Sequence, residues 1–229
     1  MLDFSQFRVI TFDCYGTLIN WELGILGALR PILSAHGAHL DDAEILRVFG
    51  ELEAEAEGGV YRSYREVLRD VVLGFGERLG FHTKPAERDS LPESICAWEP
   101  FPDTIAALAR LQSKLRLGII SNIDDDLFAA TAHKLQTNFD FVATAAQARA
   151  YKPSTEVFRL AEKKIGVERI RWLHAGQSVY HDVVPARALG IATVWVNRPS
   201  VRPNVGAVRQ ASARPDLQVS SLVELADMV

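Results

Sequence analysis

Cysteine is almost missing from this chain of 229 residues: Cys14 and Cys96 are the only two, too few and too far apart for a disulfide framework or a metal knuckle. Both are expected as reduced thiols. Long apolar runs are missing as well. No stretch approaches the roughly 20 residues that cross a bilayer, and the opening "MLDFSQFRVI" has no charged segment followed by an apolar one. A cytoplasmic protein without a membrane partner is therefore expected. Runs of basic residues are also absent; with a formal net charge of −4 and only scattered Lys and Arg pairs, the chain carries no footprint for nucleic acid. No internal repeat is present. What remains is a composition, 48% hydrophobic and 24% charged, that suits a globular protein with a full core and room for a second small domain.

Short β-branched runs recur at 8–12, 116–120, 139–144, 171–175 and 192–196, each the length of a buried strand. Segments 102–114, 125–136, 155–165 and 182–189 carry apolar residues at three- and four-residue spacing, so strand and helix alternate after about residue 100. That order predicts an α/β fold, a parallel sheet with helices on both faces. About 100 residues separate the first two strands, and their pattern is helical only, which predicts an inserted helical domain.

Within the insertion, Trp21, Ile25, Leu29 and Leu33 share one helical face, which Pro31 is expected to kink or shorten. A second helix is expected from Asp41 or Asp42 through Ile45, Val48, Phe49 and Leu52 into the acidic run "ELEAEAEGG", read as a solvated face without function. A third runs through Tyr61, Tyr64, Val67, Leu68, Val71 and Val72, and residues 197–216, without periodicity, read as a long surface loop.

In "RVITFDCYGTLIN" the carboxylate Asp13 ends the first strand, before Gly16, and open α/β sheets place their ligands at that end. Alone, it reads equally well as a turn or cap residue. Ser121 and Asn122 in "GIISNID", Lys152 in "YKPSTEVF", and Ser178 and Asp182 in "HAGQSVYHD" lie at or just beyond later strand ends. Singly these suit a helix cap, a surface lysine and an N-cap. Together they supply a nucleophilic carboxylate, an ammonium, hydroxyl and amide donors and a second carboxylate.

In that order the motifs resemble those of the haloacid dehalogenase-like hydrolases: Asp13 to Thr17, Ser121 with Asn122, Lys152 with Pro153, and Gly176 to Asp182. The resemblance implies a Rossmann-like core, 1–17 and 99–229, with a helical cap at 18–98. It implies a nucleophile, Asp13, that forms an ester which water then hydrolyses. Lys152 would neutralise the clustered carboxylates; Thr17, Ser121 and Asn122 would hold nucleophile and substrate; Asp182 would orient or deprotonate the water.

Phosphatases of the superfamily have a second aspartate two residues after the nucleophile, where this chain has Tyr15, and an acidic pair that helps hold magnesium, where it has Gln177. The pattern D-x-Y-G-T is similar to L-2-haloacid dehalogenases, which implies displacement at C2 of a small carboxylic acid with no metal or cofactor. Tyr15 and Cys14 are then pocket walls, and Trp21 is either a cap-entrance or a core aromatic. The halide-binding arginine of those enzymes corresponds to Arg47, with Arg30 competing. Val179 and His181 replace their asparagine and tryptophan, and Phe158 their tyrosine. "TFDCYGTLINWELGI", "SNID" and "SVYHD" are also similar to an offshoot that includes azetidine-2-carboxylate hydrolase, where His181 would protonate an amine or simply start a helix. A magnesium-dependent phosphatase and a non-catalytic ligand binder are the other readings. A homodimer through apolar cap residues is a further expectation.

Overall fold

The computed structural model describes residues 2–229. Strands β1 (Val9–Phe12), β2 (Arg116–Ser121), β3 (Phe141–Thr144), β4 (Trp172–Gly176), β5 (Ala192–Val196) and β6 (Leu217–Val219) form one sheet in the order β3-β2-β1-β4-β5-β6, every pair parallel. The first four residues of this sheet, Val-Ile-Thr-Phe, are all buried, because helices cover both faces. Register fixes the site: Phe12 pairs with both Ile119 and Ala175, so β1, β2 and β4 end side by side. The sixth strand, only three residues long, was not anticipated; "LQV" is too short to show a period.

Between β1 and β2 the chain forms helices α1 (Trp21–Ala35), α2 (Asp42–Ala56), α3 (Tyr64–Leu79), α4 (Pro85–Arg88) and α5 (Ser90–Ser94). Local chemistry sets their ends. Asp41 with Glu44, and Ser63 with Glu66, close reciprocal capping boxes at α2 and α3, and Gly80, at φ 76°, stops α3 in the left-handed region that glycine tolerates. Of the two effects expected at Pro31, shortening does not occur: α1 continues through it to Ala35. The ring removes the donor for the Gly27 carbonyl, but Ile32 and Leu33 just beyond are buried and hold the last turn in place.

After β2 come α6 (Thr104–Gln112), α7 (Asp125–Ala132), α8 (Ala145–Ala148), α9 (Glu156–Ile165), α10 (Val184–Ala188) and α11 (Leu222–Met228). The chain enters and leaves the insertion side by side: Ile19 bridges Pro100, Asn20 N donates to Glu99 O and Phe101 N to Leu18 O. Arg198 clamps this crossing, donating to Thr17 O and to both Asp103 oxygens. The Asp124 carboxylate accepts from the Tyr64 and Arg65 backbone N–H groups, both at 2.9 Å, tying the start of α3 to the core. Residues 197–216 are irregular, as expected, but not loose on α2. Ala207 and Val208 are buried, and a Cβ on Gly50 would come 2.8 Å from Ala207 O.

Candidate functional site

Asp13 follows β1 directly, and its carboxylate meets two donors: Lys152 Nζ at 2.9 Å on Oδ1 and Thr17 Oγ1 at 2.9 Å on Oδ2. Gly16, at φ 95°, turns the chain so that Thr17 folds back onto Asp13; a Cβ there would lie 2.8 Å from Trp21 Nε1. Thr17 in turn accepts from Gln177 N at 2.9 Å, which locks the end of β4 to the first motif.

Lys152 is 1% exposed, and its ammonium donates to Asp13, to Asp182 Oδ1 at 2.6 Å and to Ile120 O at 3.0 Å. Burial works against this charge, but the two carboxylates more than offset it and raise the ammonium above its ordinary range. Asn122 positions it: Asn122 Oδ1 accepts from Lys152 N and Nδ2 donates to Lys152 O. For Asp13, burial pushes the carboxyl up to about 6 against the pull of Lys152. Asp182 goes the other way; burial alone would raise it, yet Lys152 and His174 hold it well below the usual carboxylate range.

Asp182 sits in a π-helical turn, Val179–Val183, started by Ser178, whose Oγ accepts from His181 N while its own N–H donates to Asp182 Oδ2. Behind it runs a buried relay. Trp172 Nε1 donates to Thr11 Oγ1 at 2.8 Å, Thr11 meets His174 Nδ1 at 2.8 Å, and His174 Nε2 faces Asp182 Oδ1 at 3.3 Å. Asp182, held ionised, can only accept, so the neutral ring of His174 carries its proton on Nε2 toward Asp182, and Nδ1 accepts from the Thr11 hydroxyl. Phe158 packs edge-on against His174 at 4.8 Å, filling the space beside it. Sequence reasoning passed over His174 as a strand residue; its signal was a polar ring in a strand buried at every position.

Ser121, Asn122, Ser178 and His181 from the core line a small cavity above Asp13, Lys152 and Asp182, with a volume of about 30 Å³. Tyr15 walls it, its hydroxyl bonded to Thr131 Oγ1 at 2.8 Å, and Trp21 also faces the cavity. From the insertion, Glu53, Glu57 and Tyr64 complete the lining. Two expectations fail here. Arg47 is not in the site: its side chain is 51% exposed, pairs with Glu51 across one turn and does not line the cavity, and Arg30 likewise pairs with Asp42 at the surface. Cys14 is no pocket wall; at 0% exposure it packs into the apolar core, and burial drives its thiol well above the ordinary range.

The acidic run read as a solvated face holds the residues that were missed. Glu53 is 4% exposed and accepts from the Tyr64 hydroxyl; Glu57 accepts from Asn122 Nδ2 at 3.2 Å. Burial pushes Glu53 up to about 8 and Glu57 well above its ordinary value. The signal was spacing: Ile45, Phe49, Glu53 and Glu57 recur every fourth residue, so both carboxyls continue the apolar stripe.

A magnesium ion, used by phosphatases of the superfamily, does not fit these residues. The facing oxygens of Asp13 and Asp182 are both taken by one ammonium, and Gln177 Nε2 turns away to Val205 O. Among the described residues no three His, Cys, Asp or Glu side chains converge on a metal position.

The (S)-2-haloacid dehalogenase of Pseudomonas sp. (strain YL) is 24% identical over 216 residues, covering 93% of this chain and 90% of that protein. The (S)-2-haloacid dehalogenase H-109 of Pseudomonas putida is 27% identical over 227 residues, covering 95% and 96%. The solved L-2-haloacid dehalogenase of Xanthobacter autotrophicus superposes with a TM-score of 0.80 at 21% identity, over 97% of this chain and 98% of that one, a likeness of fold. The family model for haloacid dehalogenase-like hydrolases matches residues 7–190, from the strand that ends in Asp13 past the turn that carries Asp182, and the chain belongs to that family.

Proposed function

We propose that the chain hydrolyses small 2-substituted carboxylic acids through an ester of Asp13, with (S)-2-haloacids the substrate class that the names of its relatives favour. The observation that carries this reading is one ammonium, Lys152 Nζ, shared by Asp13 and Asp182 at 2.9 and 2.6 Å. The shared charge keeps Asp13 ionised despite its burial. Asp13 attacks C2, the C–O bond forms as the leaving group departs with the bonding electrons, and the substrate needs no metal. Asp182, held by Lys152, His174 and Ser178 N, then orients a water onto the ester carbonyl carbon. Thr17 holds the second Asp13 oxygen, and the helical insertion acts as the cap that excludes bulk water. Tyr15 spends its hydroxyl on Thr131 and serves as a wall.

A second leaving group is favoured by one specific observation. The insertion presents Glu53 and Glu57 to the cavity and no arginine among the described residues lines it. Carboxyls suit an amine better than a halide, and this supports C–N opening of the azetidine-2-carboxylate type.

Single turnover in heavy-oxygen water tests the ester. The label is expected in the Asp13 carboxylate after the first turnover and in the product hydroxyl only after later ones. Label in the product at the first turnover means direct attack by water and removes the reading.

A further inference from the structure

The ester chemistry accounts for Asp13, Thr17, Lys152 and Asp182 but gives no task to two polar groups that line the same cavity, Glu57 and His181. His181 is 9% exposed, and its Nε2, wholly buried, has no hydrogen-bond partner among the described residues. That nitrogen lies 3.9 Å from Glu57 Oε2, too far for a bond, yet one atom placed between them reaches both at ordinary hydrogen-bond lengths. Buried polar atoms are rarely left unmet, so this gap is built for a guest.

The hydrogens decide what the guest is. Glu57 Oε1 accepts from Asn122 Nδ2, which leaves Oε2 to face the gap. Burial raises the Glu57 carboxyl well above its ordinary value, so it carries a proton, and the free Oε2 is where that proton sits. His181 is neutral, because burial lowers its ring to about 4. A ring proton on Nε2 would confront the Glu57 proton, so the ring holds it on Nδ1 and Nε2 is a bare acceptor. The gap therefore has one donor wall and one acceptor wall. A halide or a carboxylate only accepts and would leave Nε2 unmet, whereas a hydroxyl accepts from Glu57 and donates to His181 through a single oxygen.

Resting on the Asp13-ester reading, we propose that Glu57 and His181 form a subsite for a substrate hydroxyl, so that the preferred substrate is a 2-substituted carboxylic acid with a hydroxyl on C3. Displacement fixes C2 in front of Asp13 with the leaving group in line behind it, so a hydroxyl held to the side is carried by the next carbon. Size sets the same limit. The cavity above Asp13 is about 30 Å³, and Glu57 lines both it and a neighbouring cavity of about 340 Å³ walled by Tyr61, Tyr151 and Tyr180. A short hydroxymethyl arm ends at that partition. The hydroxyl is recognised and takes no part in the bond changes at C2. A site built around a hydroxyl rejects the analogue that lacks it, because its buried partners are then left unpaired.

The test compares chloride release from (S)-2-chloro-3-hydroxypropionate and (S)-2-chloropropionate in the full-length protein. The kcat/KM ratio is expected to favour the hydroxylated acid by at least about tenfold. His181→Phe, which removes the acceptor, is expected to erase that preference, and Glu57→Gln, which keeps a donor at the same place, to retain most of it. A ratio near one in the native protein, a preference that survives His181→Phe, or one lost in Glu57→Gln overturns the proposal. A measurement independent of variant folding is calorimetric binding to the native protein of 3-hydroxypropionate against propionate, neither of which has a leaving group. The hydroxylated acid is expected to bind at least about tenfold more tightly. Equal, weaker or undetectable binding means that the gap holds only a water, and overturns the assignment. The mass of the Asp13 peptide, quenched in turnover, separates the two levels. An adduct from either chloroacid without a preference for the hydroxyl defeats this inference alone, whereas no adduct from either defeats the ester mechanism and, with it, the placement of the hydroxyl on C3.

Discussion

Lys152 is held in the interior by charge on two sides and a carbonyl on the third, so its removal strands Asp13 and Asp182. Lys152→Met is expected to lower stability by about 3–5 kcal/mol, the cost of leaving buried charge unpaired, measured by urea unfolding. The same variant should move the pH profile. On the proposed mechanism Asp13 attacks only as the carboxylate, and its carboxyl, pushed up by burial to about 6, loses its proton as pH rises. In the native protein kcat/KM is therefore expected to climb to about pH 6 and then level, and without the Lys152 pull the climb should shift to higher pH. A shift downward would mean that Lys152 does not act on Asp13. Asp13, Lys152 and Asp182 could be placed at or beyond strand ends from the sequence, while Thr17 and the joint roles came only with the resemblance of the ordered motifs. Glu53 and Glu57 could not be read as easily, since an acidic run ordinarily faces water; only their place on the Ile45–Phe49 stripe betrays them.

Strands of four to six residues position these side chains, and the turns after them are tight. Gly176, the last residue of β4, shows how tight. A Cβ there would stand 2.3 Å from Asp182 Cγ, a distance no real pair adopts, with the carboxyl packed directly against the backbone. Gly176→Ala must push Asp182 away from Lys152, and because the neighbour is a buried charge rather than a flexible tip, the shift breaks the 2.6 Å bond. We expect kcat to fall by about 100-fold or more, a misplacement of the order of an ångström, with the far-ultraviolet circular dichroism unchanged. Retained kcat would show that Asp182 has room to spare. At this scale five of six strands and the three long insertion helices followed from periodicity and caps. β6 did not, being held by its pairing with β5 and not by its own three residues. Nor did the outward face of Arg47, because helical phase across an insertion is set by packing against a sheet that the sequence does not display.

Across the whole molecule, the helical insertion and the sheet enclose carboxyls that water would keep ionised, and that enclosure couples fold stability to pH. Glu53 shows the sign. Its carboxyl is raised by burial from an ordinary 4.5 to about 8, so the folded protein holds this proton more tightly than the unfolded chain. The stabilisation is complete below about pH 4.5 and is lost as pH rises to about 8. Glu53→Gln keeps the size and the Tyr64 contact but has no proton to lose. Relative to this variant, the native protein is expected to lose about 1.4 kcal/mol of unfolding free energy for each pH unit across that window, and nothing further above it. Urea unfolding of both proteins at several pH values measures the difference, and taking the difference removes Asp13, Lys152 and Asp182, which titrate in both. Parallel curves would mean that Glu53 ionises freely, which requires water at its carboxyl and an insertion that stands open over Asp13. A slope confined to the acid side of pH 8 instead means that α2 rests on the sheet with the cavity closed, the state in which the proposed ester at Asp13 would be shielded from every water but the one that Asp182 is proposed to direct.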